Sequence, residues 1–143
     1  MSDMSLFHTS SLDSKSFLYD ELSRKIIGLS YEVMNELGVG FLESVYHNAL
    51  EVILRLNKLK VQSEVPLEVT FRGFEVGQFR ADLIVEDKII VEVKATHNSI
   101  GEHKAQVINY LSASGLPVGL IINFGQFKVQ TARLQHPRFV NLS

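Results

Sequence analysis

The chain has 143 residues, 45% apolar and 21% charged, with 16 acids against 14 bases and a formal net charge of −2. These values fit an ordinary globular protein long enough for a real hydrophobic core. With no cysteine, disulfides, a thiolate nucleophile and a cysteine-ligated zinc or iron–sulfur site are excluded, and the net charge argues against a protein that coats nucleic acid non-specifically.

No uninterrupted apolar run reaches the ~18 residues of a membrane span. The N-terminus has no basic region followed by an apolar run, so neither a secretory signal nor membrane association is expected. A cytoplasmic location is the expectation. Charge is unevenly placed: residues 1–86 carry 13 acids and 8 bases, residues 87–143 carry 3 acids, 6 bases and three histidines. The C-terminal part is mildly basic.

Residues 1–15 are Ser-rich without clean periodicity and read as a flexible or peripheral N-terminal arm, leaving residues 16–143 as one domain. From Ser16 to Leu37, apolar residues recur at helical spacing, including Leu22, Ile26, Leu29 and Val33. Gly38-Val39-Gly40 stops that helix. A second helix is expected from Glu43 to Asn57, with Glu43 in its positive first turn and Val45, Ala49, Val52, Ile53 and Leu56 as the core face.

The pattern then becomes strand-like. Val61–Val65 reads as a short strand with Pro66 as its edge or a break, and Leu67–Phe71 alternates. Arg72-Gly73 is a turn, and Phe74–Val85 the next strand. Glu86-Asp87-Lys88 turns into Ile89–Ala95, giving an antiparallel meander. Ser99 is placed to cap a helix over Ile100–Ala113. Val118–Phe124 is nearly all apolar, as a buried strand entered after a crossover helix should be. Lys128–Leu134 is an edge strand, followed by a tail. This order predicts an α/β sandwich around a mixed sheet.

The chemistry-bearing residues lie in the meander. Apolar strands rarely carry charges unless these are paired, exposed or used. Glu92 and Lys94 are two apart on one strand and share a face. A hairpin centred on Asp87 brings Asp82 opposite a residue near Glu92. Two carboxylates suit Mg²⁺, which takes hard oxygens in an octahedral shell. The carbonyl of Val93 offers a third oxygen. Lys94 cannot ligate while protonated but can orient or help deprotonate a water and stabilise charge on phosphate. A salt bridge on a sheet face, or an edge lysine that discourages aggregation, explains the same residues blandly.

This arrangement resembles the PD-(D/E)xK nuclease superfamily, and within it the small GxxExxY proteins. Gly40-Phe41-Leu42-Glu43-Ser44-Val45-Tyr46 is similar to the signature of that family. So are Phe79-Arg80-Ala81-Asp82-Leu83, Glu92-Val93-Lys94, Gln106-Val107-Ile108-Asn109-Tyr110-Leu111 and Gly119-Leu120-Ile121-Ile122-Asn123-Phe124-Gly125. The resemblance implies a restriction-endonuclease-like three-layer sandwich, a central mixed β-sheet flanked by helices. It implies Asp82 and Glu92 as metal-binding acids and Lys94 as the catalytic lysine. It implies Glu43 as the helix acid supporting the metal or its water shell, and Gln106 as a polar helper on the helix after the catalytic strand. The proline usually written before the first acid is replaced by Ala81.

The expected function is a Mg²⁺-dependent nuclease, with Mn²⁺ as the substitute ion and DNA favoured over RNA. The alternative is a catalytically silent module on the same fold that binds nucleic acid or a partner. A homodimer or protein partner is one way so compact a chain could gain specificity. Tyr46 is read as an anchoring aromatic hydrogen-bonded through its hydroxyl. Gln106 and Tyr110 are read as sharing a helix face, and Gly119 as a close-packing position. His97 and His103 are read as solvated or phosphate-contacting, since they lack ligand spacing.

Overall fold

The computed structural model describes residues 11–140, with side chains from residue 19 to residue 138. Helix α1 runs Ser11–Leu37 and α2 Glu43–Leu56. Strands β1 (Val61–Phe71), β2 (Phe74–Val85) and β3 (Ile89–Lys94) follow. A 3₁₀ turn, Ile100–His103, leads into α3 (Lys104–Ser114), then β4 (Val118–Asn123), β5 (Gln130–Gln135) and the short α4 (Pro137–Val140). The sheet order is β1-β2-β3-β4-β5. Among the described strands only β3 and β4 pair in parallel, so α3 is the crossover between them.

Helices cover both faces of the sheet. Ile26, Leu29 and Val33 of α1 and Tyr46, Leu50 and Leu54 of α2 pack with Leu83, Val91, Val93 and Leu120 on one face. Leu111 of α3 packs with Ala81, Ile84 and Ile90, and Val107 with Ile121, on the other. The expected three-layer α/β sandwich, a restriction-endonuclease-like fold, is therefore the one observed. Gly119 carries the α3 packing: a Cβ there would lie 2.6 Å from Val107 Cγ1, a separation the interior does not accommodate without movement.

Four expectations change. Residues 1–10 of the expected arm lie outside the described residues, whereas 11–15 already belong to α1. The core face of α2 is Tyr46, Leu50 and Leu54, with Ala49 and Ile53 of the expected face packed against it, while Val52 and Leu56 are 57% and 73% exposed. Both sets have helical spacing, and the position of α1 and the sheet selects between them. Pro66 does not interrupt β1, because β1 is an edge strand where a missing N–H is tolerated. The helix expected to begin at Ile100 opens as a 3₁₀ turn, with Ser99 Oγ accepting from Gly101 N.

The β2–β3 loop fixes the register on which the site depends. Glu86 and Asp87 both adopt φ of 55° without glycine, a strained choice for L-residues. Lys60 holds them there. Its N–H donates to Glu86 Oε2 at 2.6 Å, its Nζ reaches Asp87 Oδ2 at 2.7 Å, and its carbonyl accepts from Glu86 N. The resulting pairs, Leu83 with Val91 through Val85 with Ile89, put Asp82 level with Glu92, as a loop centred on Asp87 predicts.

Candidate active site

Regular pairing of β2 with β3 stops at Leu83 and Val91, and two carboxylates occupy the gap beyond it. Val93 N donates to Asp82 Oδ2 at 2.8 Å, and Asp82 N donates to Glu92 Oε2 at 3.1 Å. Each acid thus replaces a ladder bond of the opposite strand. Side-chain alternation also breaks here: Ala81 packs under α3, whereas Leu83 packs under α1 and α2. Across the edge, Glu64 of β1 has a φ of 52°, and Ser63 and Val65 pair with Leu83 and Ala81 on either side of Asp82. Asp82 therefore sits where β2 changes face.

Glu92 is 5% exposed. Burial first, then the negative charge of Asp82 and hydrogen bonding with its side chain, push its carboxyl up to about 8; the hydrogen bond from the Asp82 backbone, then the charge of Lys94, counter this only in part. The same two acids, after burial, raise the Tyr110 hydroxyl. Tyr110 thus approaches the pair from α3, and its ring stacks on Phe79 of β2 at 3.8 Å between centroids. Lys94, half-buried at the end of β3, follows Glu92 on the same face.

Asp82 also lines an open cleft of about 220 Å³ with Glu43, Ser44, His47 and Asn48 of α2 and with Glu64 and Arg80. Arg80 pairs with Glu64 at its mouth at 3.3 Å. His47 is held by Ser63 Oγ at 3.0 Å and lies 3.9 Å from Glu51. Glu43 is exposed in the first turn of α2. The loop before it is fixed by Tyr46, whose hydroxyl donates to Gly38 O at 2.6 Å and accepts from Phe41 N at 3.2 Å. Its ring stacks on Phe124. Tyr46 is thus the expected structural anchor. Gly40, at φ 106°, supplies a turn that a residue with a Cβ rarely adopts.

The expected site residues are therefore brought together unequally. Asp82, Glu92 and the Val93 amide interlock, with Lys94 beside them. Glu43 shares the cleft with Asp82, but Glu92 does not line it. Gln106 is exposed on α3, and its side-chain amide makes no hydrogen bond among the described residues. Among these residues, no three His, Cys, Asp or Glu side chains already gather as a metal cluster. Arg80, Ser44 and Asn48 were not singled out from the sequence. The i,i+4 pairs Glu43–His47 and Ser44–Asn48 were the available signal, a polar stripe on an otherwise apolar helix.

The donor set nonetheless suits a hard cation. One oxygen of each acid is engaged by a backbone N–H, and the second oxygens are not consumed by any base among the described residues. The Val93 carbonyl leaves the strand on the same side as its N–H, toward Asp82. A proton retained on Glu92 answers the same charge conflict that a divalent ion would answer.

Residues 20–134 match the PD-(D/E)XK nuclease superfamily. The chain belongs to this superfamily. Its fold is similar to the crystal structure of SSO0001, at 22% identity and a TM-score of 0.53, over 69% of this chain and 54% of that one. Matches also exist to an alkaline exonuclease, LHK-Exo, from Laribacter hongkongensis (12% identity, TM-score 0.46, 64% of this chain and 54% of that one). Its complex with dAMP matches at 13% and 0.46, over 79% and 70%. The chain thus spans about half the length of the first two proteins. No curated protein matches it. No helix among the described residues of this superfamily member is long and apolar enough to cross a membrane.

Proposed function

We propose that this chain is a metal-dependent phosphodiesterase acting on nucleic acid, with DNA as the favoured substrate, and that it falls in the GxxExxY branch of its superfamily. One observation carries the reading: buried Glu92 interlocks with half-buried Asp82 where β2 and β3 part, with Lys94 on the same face as Glu92. A purely structural contact has no need to seat one carboxyl against another where one of them is buried. The Gly40–Tyr46 block supports the branch, since it positions Glu43 over the cleft that Asp82 lines.

Asp82, Glu92 and the Val93 carbonyl would hold Mg²⁺ or Mn²⁺, with Glu43 reaching its water shell. The chemistry such an ion supplies is Lewis acidity toward a phosphoryl oxygen and a lowered pKa of water. Lys94 places an ammonium beside the reacting phosphate, where it orients the attacking water and stabilises developing negative charge. Gln106, on α3, has free amide donors for a phosphate or water. Tyr110 closes the α3 side of the acid pair.

The test is cleavage of single- and double-stranded DNA and RNA, with and without divalent metal, beside Lys94→Ala. The expected result is metal-dependent cleavage that falls by about 10²-fold or more in the variant, at an unchanged melting temperature. Equal cleavage by the variant would sink the role of Lys94. Salt-dependent binding with no turnover would instead favour the silent binding module.

A further inference from the structure

The β1–β2 hairpin runs beyond the cover of α3. Val65 and Leu67 of β1 pack against the α3 core, and Phe79 stacks on Tyr110. The same face continues outward as Val69, Phe71, Phe74 and Val76, which are 39%, 60%, 75% and 61% exposed. These four share a face because Phe71 pairs with Phe74 and alternation places Val69 and Val76 beside them. β1 is also the last strand of the sheet, so its outer edge has no neighbour among the described residues. The register shift near the tip pairs Val69 with Gly77 and Thr70 with Glu75, which puts the extra residue, Val76, on β2. β1 therefore stays regular from Leu67 to Phe71, beyond Glu64 and Pro66, without the bulge that blunts many such edges.

Charge at the tip is divided within each chain. Glu68 and Glu75 stand together; hydrogen bonding with Glu75, then its charge, raises the Glu68 carboxyl. Arg72, at the turn, lies over its own Phe71 ring at 5.3 Å and has no carboxylate partner among the described residues. Between β1 and α3 lies an open groove of about 500 Å³, bordered by Val69, Thr70, Asn109, Ser112 and Ala113. Its walls on α3 are small side chains.

We propose that the outer edge of β1 pairs with the same edge of a second copy of this chain, antiparallel and centred on Thr70. A two-fold contact in that register sets Val69 opposite the partner copy's Phe71 and Thr70 opposite its own equivalent, and brings Glu68 toward the partner copy's Arg72, which follows β1 at the turn. The acid pair of each chain receives the cation it lacks. Each Phe71 is carried to the mouth of the other copy's groove. Strand addition of this kind draws its affinity from main-chain hydrogen bonds and its selectivity from alternate side chains. The proposal is independent of nuclease activity.

The experiment is the solution mass of the full chain by light scattering across a concentration series. Twice the chain mass is expected, falling to half that value in Phe71→Asp and in Arg72→Glu, with melting temperatures unchanged. Glu68→Arg combined with Arg72→Glu regenerates the pair and restores the doubled mass. A single-chain mass at every concentration overturns the proposal, as does a dimer indifferent to Phe71→Asp or a double variant that stays monomeric. An unchanged mass with weaker salt-dependent DNA binding in Phe71→Asp would assign the surface to nucleic acid instead.

Discussion

Glu92 and Asn123 are both buried polar residues on neighbouring strands. Asn123 is fully paired: its Oδ1 accepts from Thr96 N and Gly125 N, and its Nδ2 donates to Thr96 O and Gln130 Oε1. It latches the chain leaving β3 to the chain leaving β4. Gly125 must lack a side chain there because a Cβ would run into the Thr96 backbone. Glu92 has one backbone donor and a second carboxylate beside it. A neutral, satisfied buried group stabilises a fold; a buried acid next to another acid costs stability unless something else neutralises it. The first marks architecture and the second marks chemistry.

That contrast can be broken most forcefully at Glu92. Glu92→Gln removes the charge while keeping the shape. Metal-dependent cleavage is expected to fall by about 10²-fold or more if Glu92 holds the ion, while stability in chelator at pH 8 holds or rises. A loss of folding with activity proportionate to the remaining folded protein would make Glu92 structural after all.

Asn123→Leu should behave in the opposite sense. It strands the Thr96 and Gly125 backbone groups and is expected to cost about 3 kcal/mol, read from urea denaturation. Unchanged stability would show that water satisfies those groups.

The pH dependence sharpens the comparison further. Glu92 is raised from 4.5 to about 8 on folding, so the folded chain keeps a proton that the unfolded chain releases. Its favourable contribution is complete below the unfolded value and is lost as pH rises through about 8. Melting temperature in chelator should therefore fall across that window, with Mg²⁺ reducing the fall. A flat profile in chelator, or one that Mg²⁺ leaves untouched, contradicts the shared-charge account of the pair.

The smallest effect is expected at Tyr46. Tyr46→Phe keeps the stack on Phe124 but frees Gly38 O and Phe41 N. About 1 kcal/mol of stability should go, with a modest drop in cleavage as the loop before Glu43 loosens. A mutant as active and stable as the parent would detach Tyr46 from the positioning of that loop.

Much of the fold was legible along the chain. Gly38 and Gly40 end α1, Arg72-Gly73 turns β1 into β2, and the apolar run at Val118 marks a fully buried strand. The opposition of Asp82 and Glu92 was legible too, because a short hairpin loop fixes register by counting. Other features were not. Asn123 appears in the sequence only as the one polar residue of an apolar run, with no sign that it closes two loops. Val52 and Leu56 have the same helical spacing as residues that are buried. Glu43 could be placed in the first turn of a helix, but not beside Asp82.

By itself, then, the sequence determined the elements, the hairpin register and the residues capable of chemistry, since these follow from local periodicity, turn geometry and side-chain type. Tertiary structure alone decided which helix face is inward, that β2 changes face at Asp82, that Glu92 is buried while Glu43 stays exposed, and that the hairpin tip is left uncovered. Those outcomes depend on burial and on contacts between segments far apart in the chain, which local spacing does not encode.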